Sequence, residues 1–147
     1  MLKFSNDVVT AEFGSFDWKK PTVQMLGRWQ PWHDGHTELF RKALETTGQV
    51  AIMVRDVQGA SGGQGQDDNP FDFNDIINDI SKKLFEKGFT IEKDYIIMKV
   101  PNIVDISYGR GVGYTFTEHD LGKDIHNISA TKIREQMRKE GKLDPNY

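Results

Sequence analysis

Three short apolar runs constrain this chain more than any other feature. Val50–Val54 (VAIMV) and Tyr95–Val100 (YIIMKV) are nearly unbroken, and Thr22–Leu26 (TVQML) is a shorter run ending at Gly27. A strand with no polar alternation has to be covered on both faces, which is the habit of parallel sheets. Between the runs lie two segments of helical period. Gly35–Thr46 places Leu39, Phe40, Ala43 and Leu44 on one face, with Gly48 where a C-terminal stop belongs. Asp72–Lys87 carries a stripe of Phe73, Ile76, Ile77, Ile80 and Leu84, ended by Gly88. A last helix runs from Ser129 to about Glu140, closed by Gly141. Strand–helix–strand–helix–strand–loop–helix predicts an α/β domain built on a parallel sheet. In such sheets ligands bind beyond the carboxyl ends of the strands, where the strand order reverses.

The remaining segments carry weaker signals. Residues 1–20 hold scattered aromatics and read either as a short strand or as an arm on the domain. The stretch 58–69 (QGASGGQGQDDN) is rich in Gly, Gln and Asp, supplies no core, and predicts a mobile loop able to close over a ligand. Tyr114–Thr117 is a weak strand after the Gly-rich SYGRGVGY turn. The 147 residues amount to one domain, with residues 22–140 as its core. The chain has no cysteine, which excludes disulfides, thiolate zinc sites, iron–sulfur clusters and Cys nucleophiles. Nineteen Lys and Arg against 22 Asp and Glu give a net charge of −3, and argue against a nucleic-acid partner. No apolar run approaches the roughly eighteen residues of a membrane span, and the start MLKFSNDVVT lacks the layout of a signal peptide. A cytoplasmic protein without membrane attachment is expected.

The densest chemistry follows the first strand. Residues 27–36 read Gly-Arg-Trp-Gln-Pro-Trp-His-Asp-Gly-His, so His33 and His36 flank Gly35 at a strand-to-helix junction. A helix N-terminus offers free amides and partial positive charge to an anion. Two imidazoles add N–H donors, Arg28 adds a full charge, and Gly35 lets a bulky ligand approach the backbone. Those parts suit a polyphosphate. The same spacing also fits a two-histidine metal site, or plain capping and packing histidines with Trp29 and Trp32 as core. A second cluster, Ile128-Ser129-Ala130-Thr131-Lys132-Ile133-Arg134, opens the last helix. Ser129 is a plausible N-cap. Thr131 and Arg134 either face an anion with the first-turn amides or belong to a simple capped helix with Arg134 in solvent.

His33-Asp34-Gly35-His36 matches the H-x-G-H signature of the nucleotidyltransferase superfamily whose core is shared with class I aminoacyl-tRNA synthetases. The longer run Gly27–His36 resembles the G-R-F-x-P-x-H-x-G-H form of archaeal-type nicotinamide-mononucleotide adenylyltransferases more than the G-x-F-D-x-x-H-x-G-H form of cytidylyltransferases. ISATKIR resembles the superfamily's second signature, I-S-x-T-x-x-R, with Ser129, Thr131 and Arg134 in place. Asn69-Pro70-Phe71 is similar to the N-P-F before the second helix of those enzymes. A synthetase is excluded by length and by the lack of K-M-S-K-S.

The resemblance implies a Rossmann-like, doubly wound parallel sheet of about five strands with helices on both faces. It implies transfer of a nucleoside monophosphate from ATP or CTP to a small phosphate- or phosphonate-bearing acceptor, with release of pyrophosphate. His33, His36 and Arg134 would be catalytic. Gly27, Arg28, Trp29, Gly35, Ser129 and Thr131 would bind nucleotide, and Arg55 and Arg110 are candidates for the acceptor. Mg²⁺ would enter with the triphosphate, with no direct protein ligand. ATP is suggested by GRWQP, and CTP is the alternative. The SYGRGVGY segment and the 58–66 loop depart from the adenylyltransferase pattern, which leaves base and acceptor open. Residues 20–140 as a whole resemble small stand-alone nucleotidyltransferases, some of them virus-encoded, which would place the protein in a host cytoplasm. Relatives are often homo-oligomers. The alternative function is a nucleotide-sensing module that uses the same pocket without catalysis.

Overall fold

A computed structural model describes residues 2–5, 8–11, 16–57, 69–110, 113–122 and 130–142. In chain order they form β1 (Leu2–Ser5), β2 (Val8–Ala11), β3 (Val23–Gly27), α1 (Asp34–Thr47), β4 (Val50–Arg55), α2 (Phe73–Glu86), β5 (Tyr95–Val100) and α3 (Ala130–Lys139). All five strands join one sheet in the order β1-β2-β5-β4-β3. The apolar runs pair in parallel, β3 with β4 and β4 with β5. Among the described residues each pair of neighbours is linked through a helical crossover, α1 between β3 and β4 and α2 between β4 and β5.

Register explains the core. Met25, Ile52 and Ile97 lie in one row across the three strands, with Val23, Val50 and Tyr95 in the row before it. Side chains two apart share a face, and these residues form one cluster with Phe40 and Ala43 of α1 and with Ile76, Ile77, Ile80 and Leu84 of α2. Both helices therefore cover the same face. Ala51 and Ile96 point to the other face and are buried as well, in keeping with unalternated strands. At the amino edge the buried Gln49 amide ties down the approach to β3, donating to the carbonyl of Asp17 at 2.7 Å and to Thr22 Oγ1 at 2.7 Å.

Two expectations change. The sheet has five strands, but only three are parallel. The other two come from the N-terminal segment as a hairpin, with β1 antiparallel to β2 and β2 antiparallel to β5. A hairpin has no crossover and can only pair antiparallel. β3 stands at the outer edge, and no strand lies beyond it among the described residues. Tyr114–Thr117 is exposed and pairs with no strand among the described residues. The fold shown is thus α/β with a three-stranded parallel unit and helices. The 58–68 loop lies outside the described residues. No helix among the described residues is long and apolar enough to cross a membrane.

Candidate functional site

The carboxyl end of the parallel unit brings together the β3–α1 loop, the β4 end and the entry to α2. The first of these is organised by a reciprocal cap. His33 is the N-cap of α1, in extended backbone at φ −137°. Its Nδ1 accepts the Gly35 N–H at 3.0 Å, and its own N–H donates to His36 Nδ1 at 3.1 Å. The two rings stack, with centroids 3.6 Å apart. An imidazole that accepts at Nδ1 carries its proton on Nε2 when neutral. Both rings therefore have one N–H left to offer a ligand.

Electrostatics favour that state. Burial, then the charges of His33 and Lys83, push His36 down from 6.5 to about 3. Burial and Lys83 lower His33 as well, partly opposed by Asp34. At neutral pH the pair is therefore uncharged, with its N–H groups at Nε2.

The loop that presents the cap is tied down by buried indoles and hydrogen bonds. Trp29 sits at φ +53°, a left-handed conformation that a bulky residue seldom adopts. Its indole is buried, donates from Nε1 to the Met53 carbonyl at 3.0 Å and meets the edge of His36 at 4.8 Å. Gly27 makes room for that indole: a Cβ on residue 27 would stand 2.8 Å from the Trp29 ring. Trp32 is fully buried and donates from Nε1 to Thr37 Oγ1 at 2.8 Å. Both of its backbone groups are held by α2, the N–H by Asp79 Oδ2 at 3.2 Å and the carbonyl by Lys83 Nζ at 2.6 Å.

Gln30 joins three segments. Its amide pairs with both backbone groups of Phe71 at 2.9 Å, and its carbonyl accepts from Arg134 Nη1 at 2.7 Å. Arg134 is 2% exposed, so it is a buried cation of α3 set under the first cluster rather than a solvated helix residue. Arg28 Nη1 donates to Asn69 Oδ1 at 3.1 Å, which ties the first cluster to the N-P-F entry of α2. Next to these residues a small open depression is lined by Gln30, Val54, Arg55, Asp56, Phe73 and Lys99 among others.

The structure thus gathers His33, His36, Gly35, Gly27, Arg28, Trp29, Arg55 and Arg134 at one end of the sheet. Their duties differ from one another. Gly27 and Trp29 build the loop's interior, and the Gly35 N–H is already used by His33. Arg55 donates to Asn102 Oδ1 at 2.8 Å, and its buried Nε meets no partner among the described residues. Arg110 is exposed on the segment after β5, with no hydrogen bond or ion pair to the described residues of this cluster. Thr131 stands in the first turn of α3, its side chain outside the description, and Ser129 lies outside the described residues altogether. Among the described residues no three His, Asp or Glu side chains converge on a metal-sized site. Sequence reasoning missed Gln30, Asp79 and Lys83. The last two had a signal only in their four-residue spacing, which also describes any surface ion pair.

No protein-family model matches the chain, and no curated protein matches it.

Proposed function

We propose that the chain is a nucleotidyltransferase that moves a nucleoside monophosphate from ATP or CTP to a small phosphate- or phosphonate-bearing acceptor. The observation that supports this best is the contact between the two sequence clusters: Arg134 donates to the Gln30 carbonyl across 104 residues of chain. The buried guanidinium thus joins ISATKIR to the loop that carries two neutral imidazole donors at a helix N-terminus. The acceptor oxygen attacks the α-phosphorus in line, the bond to the bridging oxygen breaks, and pyrophosphate leaves with the electron pair. His33 and His36 donate Nε2–H to phosphate oxygens as charge grows on them, a stabilisation that acts mainly in the transition state. Arg28 and Arg134 add fixed positive charge, and Arg55 with its neighbour Lys99 orients the acceptor. The donors around α1 are N–H groups that suit phosphate oxygens rather than a cation, so Mg²⁺ is carried by the triphosphate and neutralises part of its charge.

The doubly wound sheet belongs to the same reading. Among the described residues nothing pairs with the outer edge of β3, and in the segment after β5 Val104, Ile106 and Tyr108, then Tyr114 and Phe116, alternate in sequence with each side chain at least half exposed. The Tyr108 and Phe116 rings already face each other at 5.5 Å. Added to the β3 edge, this segment completes the sheet beside the nucleotide. Pyrophosphate release with ATP or CTP across a panel of phosphorylated acceptors tests the activity. The absence of release with either nucleotide and any acceptor of the panel would reject it.

A further inference from the structure

The ion pair of Asp79 and Lys83 reads at first as an ordinary four-residue spacing on α2, with Nζ–Oδ1 at 2.8 Å. Pairs of that kind on an exposed helix contribute little. This pair differs because both partners turn onto one residue of another element. Asp79 takes the Trp32 N–H, and Lys83 donates to the Trp32 carbonyl. That carbonyl belongs to the same planar peptide unit as the His33 N–H. In a trans unit the two point in opposite directions, so holding the carbonyl sets the direction of the N–H. The His33 N–H is the group that donates to His36 Nδ1.

We propose that Asp79 and Lys83 are positioning residues for the paired imidazoles. By anchoring the Trp32–His33 peptide, they hold the His33 N–H against His36 Nδ1 and so keep the His36 proton on Nε2, where it can meet a ligand. The ammonium acts a second time through its charge, which opposes protonation of both rings. Among the described residues the charged or titratable groups that act on the rings are the two imidazoles and Asp34 at the head of α1 and Lys83 with its partner Asp79 on α2. The inference rests on the nucleotidyl-transfer reading only for what the Nε2–H donors are used for, since the tautomer is a property of the free protein.

Nitrogen-15 NMR of the imidazoles in the full chain tests it, with Lys83→Met, Lys83→Arg and Asp79→Asn beside the parent. The parent should show His36 as the Nε2–H tautomer, neutral through the range near pH 6.5 where free histidine titrates. Lys83→Met should mix the two tautomers and raise the titration of both rings, while Lys83→Arg keeps the parent pattern. Where Lys83→Met does not fold, Asp79→Asn should show the same change in weaker form. In a turnover assay Lys83→Met should lower kcat about tenfold or more with KM for the triphosphate little changed. A parent-like tautomer and titration in Lys83→Met, or in Asp79→Asn where that is the one that folds, would overturn the proposal even if the melting point fell. A parent without transferase activity would instead reject the functional reading, because the NMR result still judges the clamp.

Discussion

α1 and α2 begin alike and yet prepare their N-termini for opposite ends. Each follows a parallel strand, and each is capped reciprocally by residues three apart. In α2 the cap is acidic: Asp72 Oδ1 accepts the Asp75 N–H at 2.8 Å, and Asp75 Oδ2 accepts the Asp72 N–H at 3.2 Å. Two carboxylates answer the positive end of the helix, so an incoming anion would meet like charge. In α1 the same positions hold two neutral imidazoles. The His33 and Gly35 amides are satisfied, but the cap residues bring no negative charge, and each ring keeps an N–H donor. A carboxylate cap closes a helix end against anions, whereas an imidazole cap leaves it receptive, here against only the exposed Asp34.

Acid should break this comparison most strongly. His36 is lowered to about 3 in the fold from 6.5 outside it. Between those values the unfolded chain binds the extra proton, so stability rises with pH and is lost as pH falls from 6.5 toward 3. The slope should approach about 1.4 kcal/mol per pH unit. Denaturant melts of the parent and of His36→Gln across this range check it, with a flatter acid limb expected for the variant.

His36→Ala should lower turnover about a hundredfold while nucleotide affinity changes much less. Unchanged kcat with a raised KM would assign the imidazole to ground-state binding alone. His33→Asp tests the two kinds of cap directly, because it keeps an N-cap acceptor but gives α1 the charge found at α2. Triphosphate affinity by calorimetry should fall about tenfold with the melting point nearly kept.

Gly27→Ala sharpens the contrast on the α1 side, since the new Cβ would push on an indole held by the Met53 carbonyl. A loss of about 1.5 kcal/mol in stability is expected, together with weaker nucleotide binding as the loop shifts. The smallest effect belongs to the α2 cap. Asp72→Ala should cost about 1 kcal/mol in a denaturant melt and leave nucleotide affinity as it was.

Much of the fold was legible in local pattern. Tyr95–Val100 matches its strand, and the helices of residues 34–47 and 73–86 differ from expectation only at their ends. These elements follow from spacing within a few residues of chain. The hairpin of residues 2–11 was not legible, because a short strand of mixed composition acquires its identity from β5, far along the chain. The site divides in the same way. His33 and His36 stood out because two imidazoles around a glycine at a helix start are a local pattern. Gln30 did not, because an amide in a loop gains its role only when Phe71 and Arg134 arrive.

By itself the sequence determined which residues form the parallel strands, where α1 and α2 start, and that two imidazoles stand at the head of α1. Strand burial, capping and helical period depend on neighbours in the chain, so they are written locally. Only the tertiary structure decided what those imidazoles rest on. Arg134 reaches the first cluster from a segment 104 residues away, and Asp79 and Lys83 grip a peptide 47 and 51 residues before them. The energy of such contacts comes from burial and direction, and neither exists until the sheet and helices have brought the groups together.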